Sequence, residues 1–165
     1  MAQSFDEAAR AYATGKENQA RLMAEIKTEY EGLKNRVSQL AANGKGLPNG
    51  PTFEWGHTIT GRPMLSLGNV AAVFEAPTVF NSVSENRIAI RFSRKPAGSG
   101  QAYAGSSPLA EIEWDLQPQI FNGAFVWAIP YQGTGRFSAD ALSDEIAKQL
   151  AQYHIDYEAA YGRKA

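Results

Sequence analysis

The chain has 165 residues, which is about the length of one domain, and such a domain buries roughly two-thirds of its unfolded surface. Its residues are 44% hydrophobic and 20% charged, a composition that excludes wholesale disorder. The formal net charge of -1 leaves no overall field that would attract nucleic acid or an anionic membrane. The absence of cysteine excludes disulfides, thiolate metal sites and a cysteine nucleophile.

The compartment is predicted from the same composition. The first residues lack the charged-then-apolar pattern of a signal peptide, and no run approaches the ~18 apolar residues that a membrane helix needs. We therefore expect a cytoplasmic protein with no membrane partner. Two histidines without spaced thiols or carboxylates do not make a zinc signature, so we expect no metal and no cofactor.

Residues 1–44 are predicted to form a long helical segment. This stretch is rich in Ala, Glu, Lys, Gln and Leu and has no proline. One apolar stripe recurs at three- and four-residue steps, at Met23, Ile26, Tyr30, Leu33, Val37 and Leu40. Unbroken, the helix would be roughly 58 Å long, whereas a domain of this size is only about 40 Å across. It therefore either breaks near Thr14-Gly15 or overhangs the globule.

Residues 52–165 are predicted to complete one domain with the preceding helix. Alternating apolar residues and Gly/Pro turns over 53–131 indicate five or six mainly antiparallel strands, with 78–83 as a short strand or an edge. Ser138 suits the N-cap of a C-terminal helix, whose stripe is Leu142, Ile146, Leu150, Tyr153 and Tyr157. We predict an α+β fold in which both helices cover one face of the sheet.

The last strand of that sheet is predicted over residues 120–131. Gln117-Pro118 is taken as a break before it, and Gly133-Thr134-Gly135 as the end of the sheet. The strand is apolar on both faces, which is typical of a strand that is covered on two sides.

Two segments in the middle of the chain predict a hairpin of defined register. In residues 87–95 apolar side chains alternate with basic ones, and in residues 109–116 apolar side chains alternate with acidic ones. An antiparallel register with Arg91 opposite Glu113 also pairs the apolar residues, namely Phe92 with Ile112, Ile90 with Trp114, and Ile88 with Leu116. The basic row then lies beside the acidic row on the solvent face. We interpret the acidic row as half of a salt-bridged surface, with acid–base catalysis or cation binding as the alternative.

Function is only weakly indicated by these patterns. The leading hypothesis is a non-enzymatic protein-interaction module whose partner is another protein or a second copy bound through the first helix. Candidate contacts are Phe5 and Tyr12 on the helix and Tyr103 in the glycine-rich loop 96–107. Nucleic-acid binding is not expected, because the acidic row neutralises the basic strand.

The alternative is a small-molecule-binding domain or an enzyme. Its pocket would lie between the sheet and the C-terminal helix, with an aromatic lining of Trp55, His57, Trp127 and Tyr153. Gly133, Gly135 and Arg136 precede that helix and are candidates for anion binding at its N-terminus. Neither a phosphate-binding P-loop nor a nucleophile elbow is present, so no catalytic residue is assigned.

Overall fold

The computed structural model describes residues 4–77, 87–96, 108–129 and 135–164, and for residues 162–164 it describes the backbone alone. The elements in chain order are α1 (Phe5–Ala42), β1 (Phe53–His57), β2 (Pro63–Leu67), β3 (Val70–Glu75), β4 (Ile88–Arg94), β5 (Ile112–Phe121), β6 (Ala124–Ile129), β7 (Gly135–Phe137) and α2 (Ala139–Lys164). The strands form one antiparallel sheet in which every strand pairs with its neighbours in the sequence. The predicted α+β class is confirmed.

The described sheet has seven strands, so the predicted count of five or six was wrong. Residues 120–131 are not one strand, because β5 continues through Pro118 to Phe121 before the chain reverses. Asn122 and Gly123 have positive φ angles of 51° and 78°, which suit a two-residue hairpin turn into β6. Pro118 is tolerated because the β4 pairing ends at Leu116, beyond which the described part of β5 pairs only with β6.

The seventh strand comes from a segment that was predicted to end the sheet. Gly135 pairs with Ile129, and Phe137 pairs with Trp127. With only three residues, β7 is too short for alternation to indicate a strand. The predicted strand or edge over 78–83 lies outside the described residues.

The hairpin register is confirmed pair by pair. Arg91 lies opposite Glu113, and the flanking pairs are the predicted ones, Phe92 with Ile112, Ile90 with Trp114 and Ile88 with Leu116. The rings of Phe92 and Trp114 meet edge to face with their centroids 4.8 Å apart. This contact adds to the burial that holds the register, since a slip by one residue would expose both rings.

A single large core joins the two helices to one face of the sheet. Each helix contributes one stripe of buried side chains, and the sheet contributes alternate residues of its strands. The buried members include Ile26, Leu33 and Val37 of α1, Leu142, Ile146 and Leu150 of α2, and Leu65, Phe74, Ile90 and Trp127 of the sheet. Both helices therefore cover the same face, as predicted from their stripes.

The first half of α1 lies outside this core. The sequence predicted either a break near Thr14-Gly15 or an overhang. The helix is continuous through both residues, so it overhangs the globule. Every side chain from residue 4 to residue 21 is exposed, and the first buried one is Leu22. This stretch, the overhanging segment, is about 25 Å of helix. It meets the globule where Arg21 Nη1 donates a hydrogen bond of 2.7 Å to the carbonyl oxygen of Gly123.

Candidate functional site

The overhanging segment (residues 4–21) exposes two large aromatic side chains. Phe5 is 85% exposed and Tyr12 is 68% exposed. They are seven residues apart, so they lie on one face of the helix, with Ala8 and Ala9 between them. Lys16 continues this face, with its amino nitrogen 5.5 Å from the centroid of the Tyr12 ring. The face is apolar at its start and is covered by no described residue.

The start of the overhanging segment is locally stabilised. Ser4 is the N-cap, and its hydroxyl accepts a hydrogen bond of 3.2 Å from the backbone N–H of Glu7. Asp6 and Glu7 lie in the first turn, where negative charge stabilises the helix dipole. The segment continues a helix that is packed from Leu22 onward, but its own apolar face lacks the packing from which most helical stability comes. A second surface that covers Phe5 and Tyr12 would supply that packing.

A second candidate lies on the outer face of the sheet, which is the face away from the helices. A cavity of about 480 Å³ opens there, which we call the outer-face pocket. Its floor includes the nearly buried side chains of Val73 and Ser93. The remaining lining residues come from the β1–β2 connection and from neighbouring strand ends, and are Thr58, Ile59, Thr60, Arg62, Glu75, Arg91, Arg94, Pro96 and Glu111.

Glu75 organises the charges of the outer-face pocket. Its Oε1 atom accepts a hydrogen bond of 2.9 Å from Arg62 Nη1 and lies 3.1 Å from Arg91 Nη1. The Glu75 side chain is 19% exposed, so these contacts are shielded better than those of a fully exposed pair. Arg91 lies further from two other carboxylates, with Nε 3.6 Å from Glu111 and Nη2 3.8 Å from Glu113.

The predicted salt-bridged surface is therefore present along β4 and β5, and it extends onto β3 and the β1–β2 connection. Arg87 pairs with both Glu113 and Asp115. The additional partners, Arg62 and Glu75, were missed by sequence reasoning because β3 was not assigned a position beside β4. The signal was the single acidic residue that ends the otherwise apolar strand VAAVFE.

The alternative roles of the acidic row gain no support. In the described ranges no group of three or more His, Asp or Glu residues is placed to hold a metal ion. Glu113 and Asp115 both contact guanidinium groups, which compete with any cation for the same oxygens.

The four predicted pocket residues are not brought together. Trp55 and His57 are on β1 and Trp127 is on β6, five inter-strand steps away, which is about 24 Å. Trp127 and Tyr153 are fully buried in the core, and His57 is exposed at the end of its strand. A separate cavity of about 340 Å³ does lie beside the last helix, but its lining is Trp114, Ile129, Phe137, Glu145, Lys148, Gln149 and Gln152.

The two histidines are also apart. His57 pairs with Pro63 at one end of β2. His154 is buried on α2 beside Gly68, which follows the other end of that strand. Five residues of extended chain span roughly 16 Å, so the pair does not form a shared proton-transfer or metal site.

Tyr153 acts as a structural anchor in the core. Its hydroxyl donates a hydrogen bond of 3.0 Å to the carbonyl oxygen of Ala110, which ties α2 to the segment before β5. Burial, followed by the negative charge of Glu111 and the neighbouring Tyr157, raises the pKa of Tyr153 to about 12. Burial also raises the pKa of Tyr30 on α1.

These tyrosines predict loss of stability at alkaline pH. A phenol whose folded pKa is raised contributes stability that is complete below its unfolded pKa near 10 and is lost as the pH rises towards 12. The free energy of unfolding should decrease between pH 9 and 11 by about 1 kcal/mol less in Tyr153→Phe than in the wild type, as measured by urea denaturation. Between about pH 6 and 8 the phenol is protonated in both states, so wild type and Tyr153→Phe should show the same slope there. Equal slopes for the two proteins between about pH 9 and 11 as well would contradict the assignment.

The two described anion-binding candidates, Gly135 and Arg136, lie on β7 and not at the N-terminus of α2. Gly133 lies outside the described residues, and Gly135 is part of β7. The guanidinium of Arg136 lies 4.2 Å from the centroid of the Phe121 ring, and its Nε donates a hydrogen bond of 3.3 Å to Gln119 Oε1. Among the predicted partner contacts, Phe5 and Tyr12 are exposed as expected, and Tyr103 lies outside the described residues.

Comparison with protein-family models, with curated proteins and with solved structures gives no match. In the described part of the chain no helix is long and apolar enough to cross a membrane. The overhanging segment and the outer-face pocket are the candidate functional surfaces of the described residues.

Proposed function

We propose that the chain is a non-enzymatic intracellular interaction module that self-associates through the overhanging segment. The observation that carries this proposal is a stretch of capped helix, about 25 Å long, that exposes Phe5 and Tyr12 on one face. Large aromatics are common anchors of protein interfaces and are costly to leave in water. From Leu22 onward, the apolar face of α1 is buried against the sheet. The overhanging segment is therefore the part of the helix whose apolar face remains for a partner.

Charge favours a second copy in the antiparallel direction. The segment is acidic in its first turn, at Asp6 and Glu7, and Lys16 lies on the aromatic face further along. An antiparallel pair centred near Tyr12 brings the acidic turn of each copy close to Lys16 of the other. A parallel pair would instead place the two acidic turns side by side, which is unfavourable.

Shape supports the same direction. An antiparallel overlap of the two segments leaves the globular bodies at opposite ends, about 25 Å apart along the helix axis. A parallel overlap would bring both bodies to the same end, where they compete for space. The antiparallel pair also aligns the two helix dipoles favourably.

Sedimentation velocity over a concentration series tests the proposal. We expect the wild type to show a concentration-dependent dimer. Tyr12→Glu should raise the dissociation constant of that dimer by about tenfold or more, because a charge replaces the ring in both copies. Thr14→Glu is the matched control, since the same charge then points away from the aromatic face. Circular dichroism should show unchanged helix content for both variants.

Two results would overturn self-association. One is a wild type that stays monomeric at about 100 μM. The other is an equal loss of dimer in Tyr12→Glu and Thr14→Glu, which would place the contact elsewhere.

A further inference from the structure

We propose that Asn122, at the tip of the β5–β6 hairpin, is a site of spontaneous deamidation, which replaces its side-chain amide with a carboxylate. The chain has three Asn-Gly dipeptides, Asn43-Gly44, Asn49-Gly50 and Asn122-Gly123. Asn-Gly is especially prone to this reaction, because glycine has no side chain to hinder attack by its own nitrogen. The three dipeptides differ in their hydrogen bonding, and the proposal does not depend on self-association.

The reaction is an intramolecular attack followed by hydrolysis. The backbone nitrogen of Gly123 loses its proton to hydroxide and bonds to Cγ of Asn122, and the side-chain nitrogen leaves as ammonia with a proton from water. Water then adds to either carbonyl of the resulting five-membered imide. Opening at Cγ gives aspartate. Opening at the backbone carbonyl gives isoaspartate, in which the main chain runs through the side chain. Solvent supplies every reactant.

Exposure does not separate the three asparagines, because all of them are exposed. The attacking nitrogens of the first two dipeptides are held in hydrogen bonds. The N–H of Gly44 donates a hydrogen bond of 3.0 Å to the carbonyl oxygen of Ala41, and the N–H of Gly50 donates one of 3.0 Å to that of Leu47. Each of these bonds must break before the nitrogen can attack, which protects Asn43 and Asn49.

The nitrogen of Gly123 has no such restraint. Asn122 and Gly123 form a two-residue turn, and the strand pair that closes this turn is Phe121 with Ala124. No described residue accepts a hydrogen bond from the N–H of Gly123. Beyond its chain neighbours, no atom lies within 4 Å of the position that a Cβ atom of Gly123 would occupy. The turn therefore has both a free nucleophile and room to close the ring.

Deamidation at this position changes the contact at the base of the overhanging segment. Arg21 Nη1 donates a hydrogen bond of 2.7 Å to the carbonyl oxygen of Gly123, and Arg21 Nε donates one of 3.2 Å to Glu25 Oε1. A carboxylate at position 122 gives Arg21 a second acidic partner beside Glu25. Isoaspartate also lengthens the turn by one methylene, which displaces the carbonyl group that Arg21 contacts.

The experiment is mass-spectrometric peptide mapping of the full chain after incubation at mildly alkaline pH. The deamidation rate of each Asn-Gly dipeptide is measured in the folded chain and in the chain unfolded by guanidinium chloride, and the ratio of the two rates removes the effect of local sequence. We expect Asn122 to react at a similar rate in both states. Asn43 and Asn49 should react at least about fivefold more slowly in the folded chain, because their hydrogen bonds must open first.

Two variants test the assignment by charge. Isoelectric focusing should resolve an acidic form of the wild type that accumulates with incubation time. Asn122→Gln should lose this form, because glutamine must close a six-membered ring, which is far slower. Asn49→Gln is the matched control, since Asn49 also has a positive φ angle, 57° against 51° for Asn122. Its acidic form should accumulate as in the wild type.

Three outcomes would overturn the proposal. The first is that folding slows the reaction of Asn122 as strongly as that of Asn43 and Asn49. The second is a folded chain in which Asn43 or Asn49 deamidates faster than Asn122. The third is an acidic form that accumulates equally in Asn122→Gln and in the wild type.

Discussion

Trp127→Ala is expected to lower the free energy of unfolding by about 3–5 kcal/mol. Trp127 is fully buried in the main core, and its ring meets Phe125 edge to face at a centroid distance of 5.1 Å. Removing the ring loses the hydrophobic stabilisation that its burial contributes. It also leaves a cavity that the packed helices and strands cannot fill. Urea denaturation followed by circular dichroism measures the change, with the denaturant slope as a check on two-state behaviour.

Trp55→Ala is the matched control for Trp127. Trp55 is half-buried on the edge strand β1, where its ring contacts Phe74 at a centroid distance of 5.8 Å. We expect Trp55→Ala to lower the free energy of unfolding by about 1–2 kcal/mol, because part of the Trp55 side chain is exposed to water in the folded state. If Trp127→Ala costs no more than Trp55→Ala, then Trp127 lines an open pocket and its assignment to the core is wrong.

Gly68→Ala is expected to cost about 2–4 kcal/mol for two separable reasons. Gly68 has a φ of +61° in the turn between β2 and β3, a conformation that disfavours any side chain. A methyl group there would also lie 2.9 Å from Cε1 of the buried His154. The turn therefore needs glycine both for its backbone and for its contact with α2. Urea denaturation measures the loss.

A double-mutant cycle separates strain from clash at Gly68. In a His154→Ala background only the backbone cost should remain, about 1–2 kcal/mol. Gly15→Ala is the control for glycine replacement as such, because nothing lies within 4 Å of its Cβ position in the exposed helix. We expect that change to stabilise the chain by about 0.5–1 kcal/mol. An unchanged cost of Gly68→Ala in the His154→Ala background would remove the steric part of the explanation.

The central hairpin shows how much local pattern can predict. The register of Arg91 with Glu113 follows from alternation alone, because one slip would expose every apolar residue of both strands. The sequence also contains a signal for the turn at Asn122-Gly123, since Asn-Gly is a strong predictor of a hairpin turn. Pro118 conceals this turn, because a proline predicts the end of a strand, whereas the pairing of β5 with β4 ends at Leu116 and β5 tolerates proline beyond that point.

One of the two candidate sites could be predicted from the sequence, and the other could not. The length of α1 predicted either a break near Thr14-Gly15 or an overhang, and the structure has the overhang, which exposes Phe5 and Tyr12. The outer-face pocket was not predicted, because Arg62 lies in the β1–β2 connection, Glu75 on β3 and Arg91 on β4. Only the strand order that places β2, β3 and β4 side by side brings these three side chains together.

The amino-acid pattern by itself determined the elements with strong periodicity: the two helices, their buried stripes and the paired strands β4 and β5. Those features depend on neighbours along the chain or on one hairpin, and hydrophobic spacing encodes them directly. The tertiary structure alone decided that Trp55 and Trp127 lie five strands apart, that Tyr153 is an anchor, and that Glu75 bridges two arginines. Distances between strands that are not neighbours depend on sheet order, and periodicity within one strand contains no information about that order.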